Sequence, residues 1–120
     1  TGGGAALQAA AQNQGEVSAV VSRGGRPDLA GEYLRDVQAP TLLIVGGDDG
    51  PVIGMNRWAY DRLTCIHEMR IIPGASHLFE EPGTLEEVAR LASGWFQRFL
   101  IHPLLNQNVD KALIRTKDGG

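Results

Sequence analysis

The chain has 120 residues, enough for one domain or a piece of a larger one. Its formal net charge of −3 argues against a general nucleic-acid or anionic-membrane surface, which needs a basic excess. One cysteine, Cys65, excludes an internal disulfide and an all-cysteine metal site. No apolar run approaches the ~20 residues of a membrane helix, and the opening lacks the basic region and apolar block of a signal peptide. The expectation is a soluble, cytoplasmic protein.

In chain order, the opening "TGGGAALQAA" crowds three glycines against an Ala-rich stretch that favours helix over Gly4 to Gln14. Such glycines suit a place where another group approaches the backbone closely. The run "VSAVVSR", Val17 to Arg23, predicts a first strand, and the loop "RGGRPDLAG" follows it with a weaker helical turn at Glu32 to Val37. "TLLIVGG", Thr41 to Gly47, is nearly continuously apolar, as befits a strand covered on both faces of a parallel sheet. Helical spacing of Trp58, Ala59, Arg62 and Leu63 predicts a helix over Ile53 to Leu63. "EMRIIPG", Glu68 to Gly74, predicts a third strand.

The strongest helical pattern is "TLEEVARLASGWFQRFL". Thr84 and Glu87 have capping-box spacing, and Leu85, Val88, Leu91, Ala92, Trp95, Phe96 and Phe99 recur with the 3.6-residue period. Alternating helices and strands predict an α/β fold of three layers, a short parallel sheet flanked by helices. After Leu100 the pattern breaks at Pro103, and residues 101–120 read as a tail or linker. The first strand is then left with an unpaired edge.

Ligand crevices of open α/β sheets lie at the carboxyl ends of the strands. Two loops at that edge carry acid–base residues: "GGDDGPV" with Asp48 and Asp49, then "PGASHLFEEP" with His77. A carboxylate beside an imidazole fixes its tautomer and stabilises the imidazolium formed when it accepts a proton. Taken singly, an Asp in a Gly-rich loop is most often a turn former, which suits Asp48, and a lone His near a helix start is most often structural.

Together, "APTLLIVGGDDGPV" and "IIPGASHLFEEPGTLEEVARLASGWFQRFL" resemble the C-terminal half of α/β-hydrolases of the dienelactone-hydrolase-like type. The resemblance covers Thr1 to about Leu100 and implies a partial α/β-hydrolase fold. It puts the triad acid at Asp49, with Val52 three positions on, and the triad histidine at His77. It also implies that Thr1 follows the nucleophile of a G-x-S-x-G or G-x-C-x-G elbow, with Gly2 as its last glycine and the Thr1 N–H in the oxyanion hole. The nucleophile itself would precede Thr1, so the chain alone is expected to be inactive. The intact enzyme would act on a small-molecule ester or lactone, with no cofactor, metal, nucleic acid or membrane involved.

Other readings concern fewer residues. Thr1 as an N-terminal nucleophile belongs to β-sandwich enzymes, and Cys65 sits at the opposite end of the sheet from the loops. His67 and His102 lack a ligand set at metal spacing, and "GGDDG" does not fit a calcium loop. The triple glycine is not followed by the Lys-Ser/Thr of a phosphate loop. Arg23 and Arg26, at the end of the first strand, suit either an anionic substrate group or a solvated turn. The alternative function is a non-catalytic module that forms a homodimer through the open edge of Val17 to Ser22.

Overall fold

The computed structural model describes residues 2–99, 104–108 and 112–116. Helix α1 spans Gly2–Gln12, strand β1 Val17–Arg23, strand β2 Thr41–Gly46, helix α2 Gly50–Arg62, strand β3 His67–Ile72 and helix α3 Thr84–Phe99. Strands β4, Leu104–Asn108, and β5, Ala112–Thr116, complete the described elements. The sheet order is β3-β2-β1-β5-β4. Strands β1, β2 and β3 run parallel, with Thr41 level with Val20 and His67.

The predicted layering follows from period-2 alternation. Val20 and Leu43 turn to one face and pack with Leu7, Ala10, Leu34, Ala59 and Leu63 from α1, α2 and the segment between β1 and β2. Val21, Leu42 and Ile44 turn to the other, against Val88, Ala92, Trp95 and Phe96 of α3. Every residue of β2 is buried, which explains its unbroken apolar run. Trp95 carries its polar edge into this core by donating its indole N–H to the Pro40 carbonyl at 3.1 Å.

Several expectations need adjustment. The turn expected at Glu32 to Val37 is a 3-10 segment, Pro27–Asp36, kinked where Gly31 takes φ 53°. Helix α2 begins at Gly50, ahead of Ile53, because Pro51 in its first turn is preset for helix and lacks only an N–H that would go unbonded there. The capping box at α3 does not form. The Thr84 hydroxyl donates to the Glu81 carbonyl, and the Glu87 carboxylate is held by Arg90 instead of reaching back.

The largest difference lies in the stretch read as a tail or linker. Within it, β4 and β5 form an antiparallel pair, and β5 pairs antiparallel with β1 from Ser22↔Ala112 to Val17↔Thr116. An unpaired ladder of backbone groups is costly, and β5 supplies the partner that β1 was expected to lack. The edge strands are therefore β3 and β4, and a homodimer through β1 would require displacing β5. Thr1, Leu100, 101–103, 109–111 and 117–120 lie outside the described residues, so the expectation placed on Thr1 is not addressed. No helix among the described residues is long and apolar enough to cross a membrane.

Candidate functional site

Asp49 and His77 meet at the carboxyl end of the parallel strands. The β2 chain leaves the sheet at Gly46 and turns through Gly47 and Asp48 into α2, with Asp49 at the N-cap position. An N-cap Asp ordinarily accepts from the first backbone N–H groups of its helix. Here it makes no such bond. Its Oδ2 lies instead 2.7 Å from Nδ1 of His77, in the loop after β3. A carboxylate only accepts, so Nδ1 carries the proton, and the neutral tautomer has its acceptor at Nε2. The helix N-terminus is a favourable position for the Asp49 charge. The carboxylate is 13% exposed and the imidazole 41%, so the acid is sheltered while the base faces outward.

The loops are tied by backbone bonds. Gly47 N–H donates to Ile72 O at 2.8 Å and Asp48 N–H to Ala75 O at 3.0 Å. The approach is close enough to demand glycine: a Cβ on Gly46 would sit 2.3 Å from the Ala75 oxygen. The exit of β1 is pressed in as well. Gly24 takes φ +57°, and a Cβ there would lie 2.7 Å from the His77 oxygen.

Two further residues shape the His77 loop. Phe79 has φ 55°, a conformation that disfavours a bulky L-residue, yet its ring is buried in the α3-side core. Glu81 accepts the Ser76 N–H at 2.9 Å through Oε1. That backbone bond is the main cause holding the Glu81 carboxyl below its ordinary value. Sequence reasoning passed over Gly24, Phe79 and Glu81; the paired glycines of "RGG" at the strand end were the available signal for the first.

The other expected residues are placed differently. Arg26 is engaged by Asp28, with Nε and Nη2 donating to the two carboxylate oxygens at 3.0 and 2.9 Å. Arg23 is half-buried at the end of β1, and Asp48 is an exposed turn residue. Cys65 lies between α2 and β3, and burial raises its thiol pKa. Among the described residues no cluster of three His, Cys, Asp or Glu side chains comes together. A cavity of about 420 Å³ lies beside α2, lined by Asp28, Pro51, Gly54, Met55 and Trp58; neither member of the Asp49–His77 pair lines it.

A solved dienelactone hydrolase from Anabaena variabilis superposes with a TM-score of 0.81 at 62% sequence identity. The match covers 82% of this chain and 45% of that one. The chain thus has part of an α/β-hydrolase fold, a short parallel sheet flanked by helices. Two strains of Mycobacterium tuberculosis have proteins named "Putative phosphoribosyl transferase" that are 57% identical to this chain over 103 residues. That alignment takes in 86% of this chain but 23% of each relative. The chain thus spans less than half of the solved relative and under a quarter of the curated ones. No family model matches.

Proposed function

We propose that this chain carries the histidine and acid of a dienelactone-hydrolase-like enzyme that cleaves an ester or lactone. The observation that carries the reading is the 2.7 Å contact between His77 Nδ1 and Asp49 Oδ2 across two strand-end loops. The hydroxyl or thiol of a residue directly ahead of Thr1 attacks the substrate carbonyl while Nε2 of His77 takes its proton. Asp49 steadies the imidazolium, and the Thr1 N–H donates to the oxyanion. His77 then protonates the departing oxygen of the ester, or the ring oxygen of a lactone. It next draws a proton from the water that cleaves the acyl-enzyme. The setting is cytoplasmic, where the single thiol needs no partner, and neither cofactor, metal, nucleic acid nor membrane takes part.

The transferase name of the mycobacterial relatives describes proteins of which this chain matches a minor share. This chain carries the Asp49–His77 pair and lacks the Lys-Ser/Thr of a phosphate loop, which favours hydrolysis as the reading of its own residues. The test is turnover of an activated ester by the protein extended ahead of Thr1 through the expected Ser or Cys. His77→Ala is expected to lower kcat on the order of 10⁶-fold, and Asp49→Asn about 10⁴-fold with the fold intact. Equal rates in all three proteins would remove the dyad from the chemistry.

A further inference from the structure

We propose that the open edge of β3 is a homodimer interface, in which two copies pair antiparallel about Met69 and continue one sheet across both molecules. Among the described residues strand β3 ends the sheet, and its Arg70 and Ile71 are exposed where the whole of β2 is buried. Ile71 is 38% exposed and neighbouring Ile66 55%, large apolar side chains beside an unpaired ladder. Such an edge is a template for another strand.

The backbone determines which residues can face a partner. Thr41 N–H bonds Ile66 O and Gly47 N–H bonds Ile72 O, so the even-numbered residues of β3 bond inward to β2. His67, Met69 and Ile71 therefore point their N–H and C=O groups outward. A symmetric antiparallel pair must place outward groups opposite outward groups, so it centres on a residue. A centre at His67 overlaps only the start of the strand, and one at Ile71 sets Met69 against Pro73, which has no N–H to donate. The choice lies among Glu68, Met69 and Arg70.

Charge chooses among the three. Centring on Glu68 sets two glutamates opposite each other, and centring on Arg70 sets two arginines; like charges directly opposite are destabilising. Centring on Met69 sets Glu68 against Arg70 of the second copy, twice by symmetry, in the closely spaced non-hydrogen-bonded positions. Glu68 already accepts from Arg98 at 3.1 Å, and a carboxylate has room for a second donor. The same register sets Ile71 of the second copy over His67, which packs edge-on against Tyr60 at 4.3 Å. A groove of about 530 Å³ lined by Arg57, Tyr60, Asp61, Met69, Arg70 and Ile71 leaves space for it there.

This interface is independent of the hydrolase reading, because it is read as mass and not as turnover. Sedimentation of the chain over a range of concentrations should show a monomer–dimer equilibrium. Arg70→Glu should weaken the dimer about tenfold, and the double exchange Glu68→Arg with Arg70→Glu should restore it. Met69→Pro removes an outward N–H that β2 does not use and should abolish the dimer while far-UV circular dichroism stays unchanged. If that variant fails to fold, the charge series decides alone. A wild-type monomer at every concentration would overturn the proposal, and so would a dimer indifferent to the charge reversal.

Discussion

The contacts Asp49–His77 and Arg26–Asp28 lie at the same end of the sheet, at 2.7 and 2.9 Å, and are built in opposite ways. Arg26 and Asp28 are two residues apart, and their pairing needs only the local turn. Asp49 and His77 are 28 residues apart and meet because two parallel strands deliver their loops to one place. The local pair neutralises itself and engages a guanidinium whose position suited either an anionic substrate group or a turn. The distant pair leaves an imidazole facing outward, positioned by backbone it does not share with its acid. What the fold contributes to this pair is therefore concentrated in the loop contacts around His77.

The largest expected effect comes from removing the anchor of that loop. Phe79 is buried in the α3-side core two residues beyond His77. Phe79→Ala should cost about 3–5 kcal/mol in denaturant unfolding. It should also loosen the His77–Asp49 hydrogen bond, seen as faster exchange of the Nδ1 proton. Asp28→Ala should leave that proton untouched, since its pair is confined to its own turn. If both variants moved it equally, the distinction between local and distant pairs would collapse.

A smaller effect separates glycines that are contacts from glycines that are not. Gly46→Ala pushes a methyl toward the Ala75 oxygen and should destabilise by about 1–3 kcal/mol. Gly94→Ala, in the middle of α3 with nothing within 4 Å of its added carbon, should stabilise by about 0.5–1 kcal/mol. Equal effects in the two would show that the β2 and β3 loops are not in the close contact described.

These residues also mark how far the sequence could be read. The β2 strand was legible because burial on both faces leaves an unbroken apolar run. That Asp49 and His77 share one end of the sheet was legible, because each stands in a loop just after one of two successive strands. The β4–β5 pair was not, because nothing local in "LLNQN" or "ALIRT" announces a partner as distant as Val17–Arg23. The capping box misled for a related reason: its spacing is local, but Arg90 one turn on competes for Glu87 and wins. The positive φ of Phe79 left no trace, since that conformation ordinarily selects Gly or Asn, and here a buried ring imposes it.

The smallest predicted effect is a pH dependence seated in the same loop. Glu81 holds Ser76, the residue before His77, through a backbone N–H, and its carboxyl is held below the ordinary value of 4.5. A carboxylate with a depressed pKa in the folded state contributes stability above its unfolded value and loses it as the pH falls through the folded one. Unfolding free energy should therefore decline below pH 4.5 with a share that Glu81→Gln removes. Gln offers Ser76 only a neutral carbonyl oxygen, as the protonated carboxyl does. The variant should therefore fall slightly below the parent at neutral pH and converge with it in acid. A parent and variant whose stabilities fall in parallel through the acid range would place the Glu81 contact outside the forces that hold His77 in position.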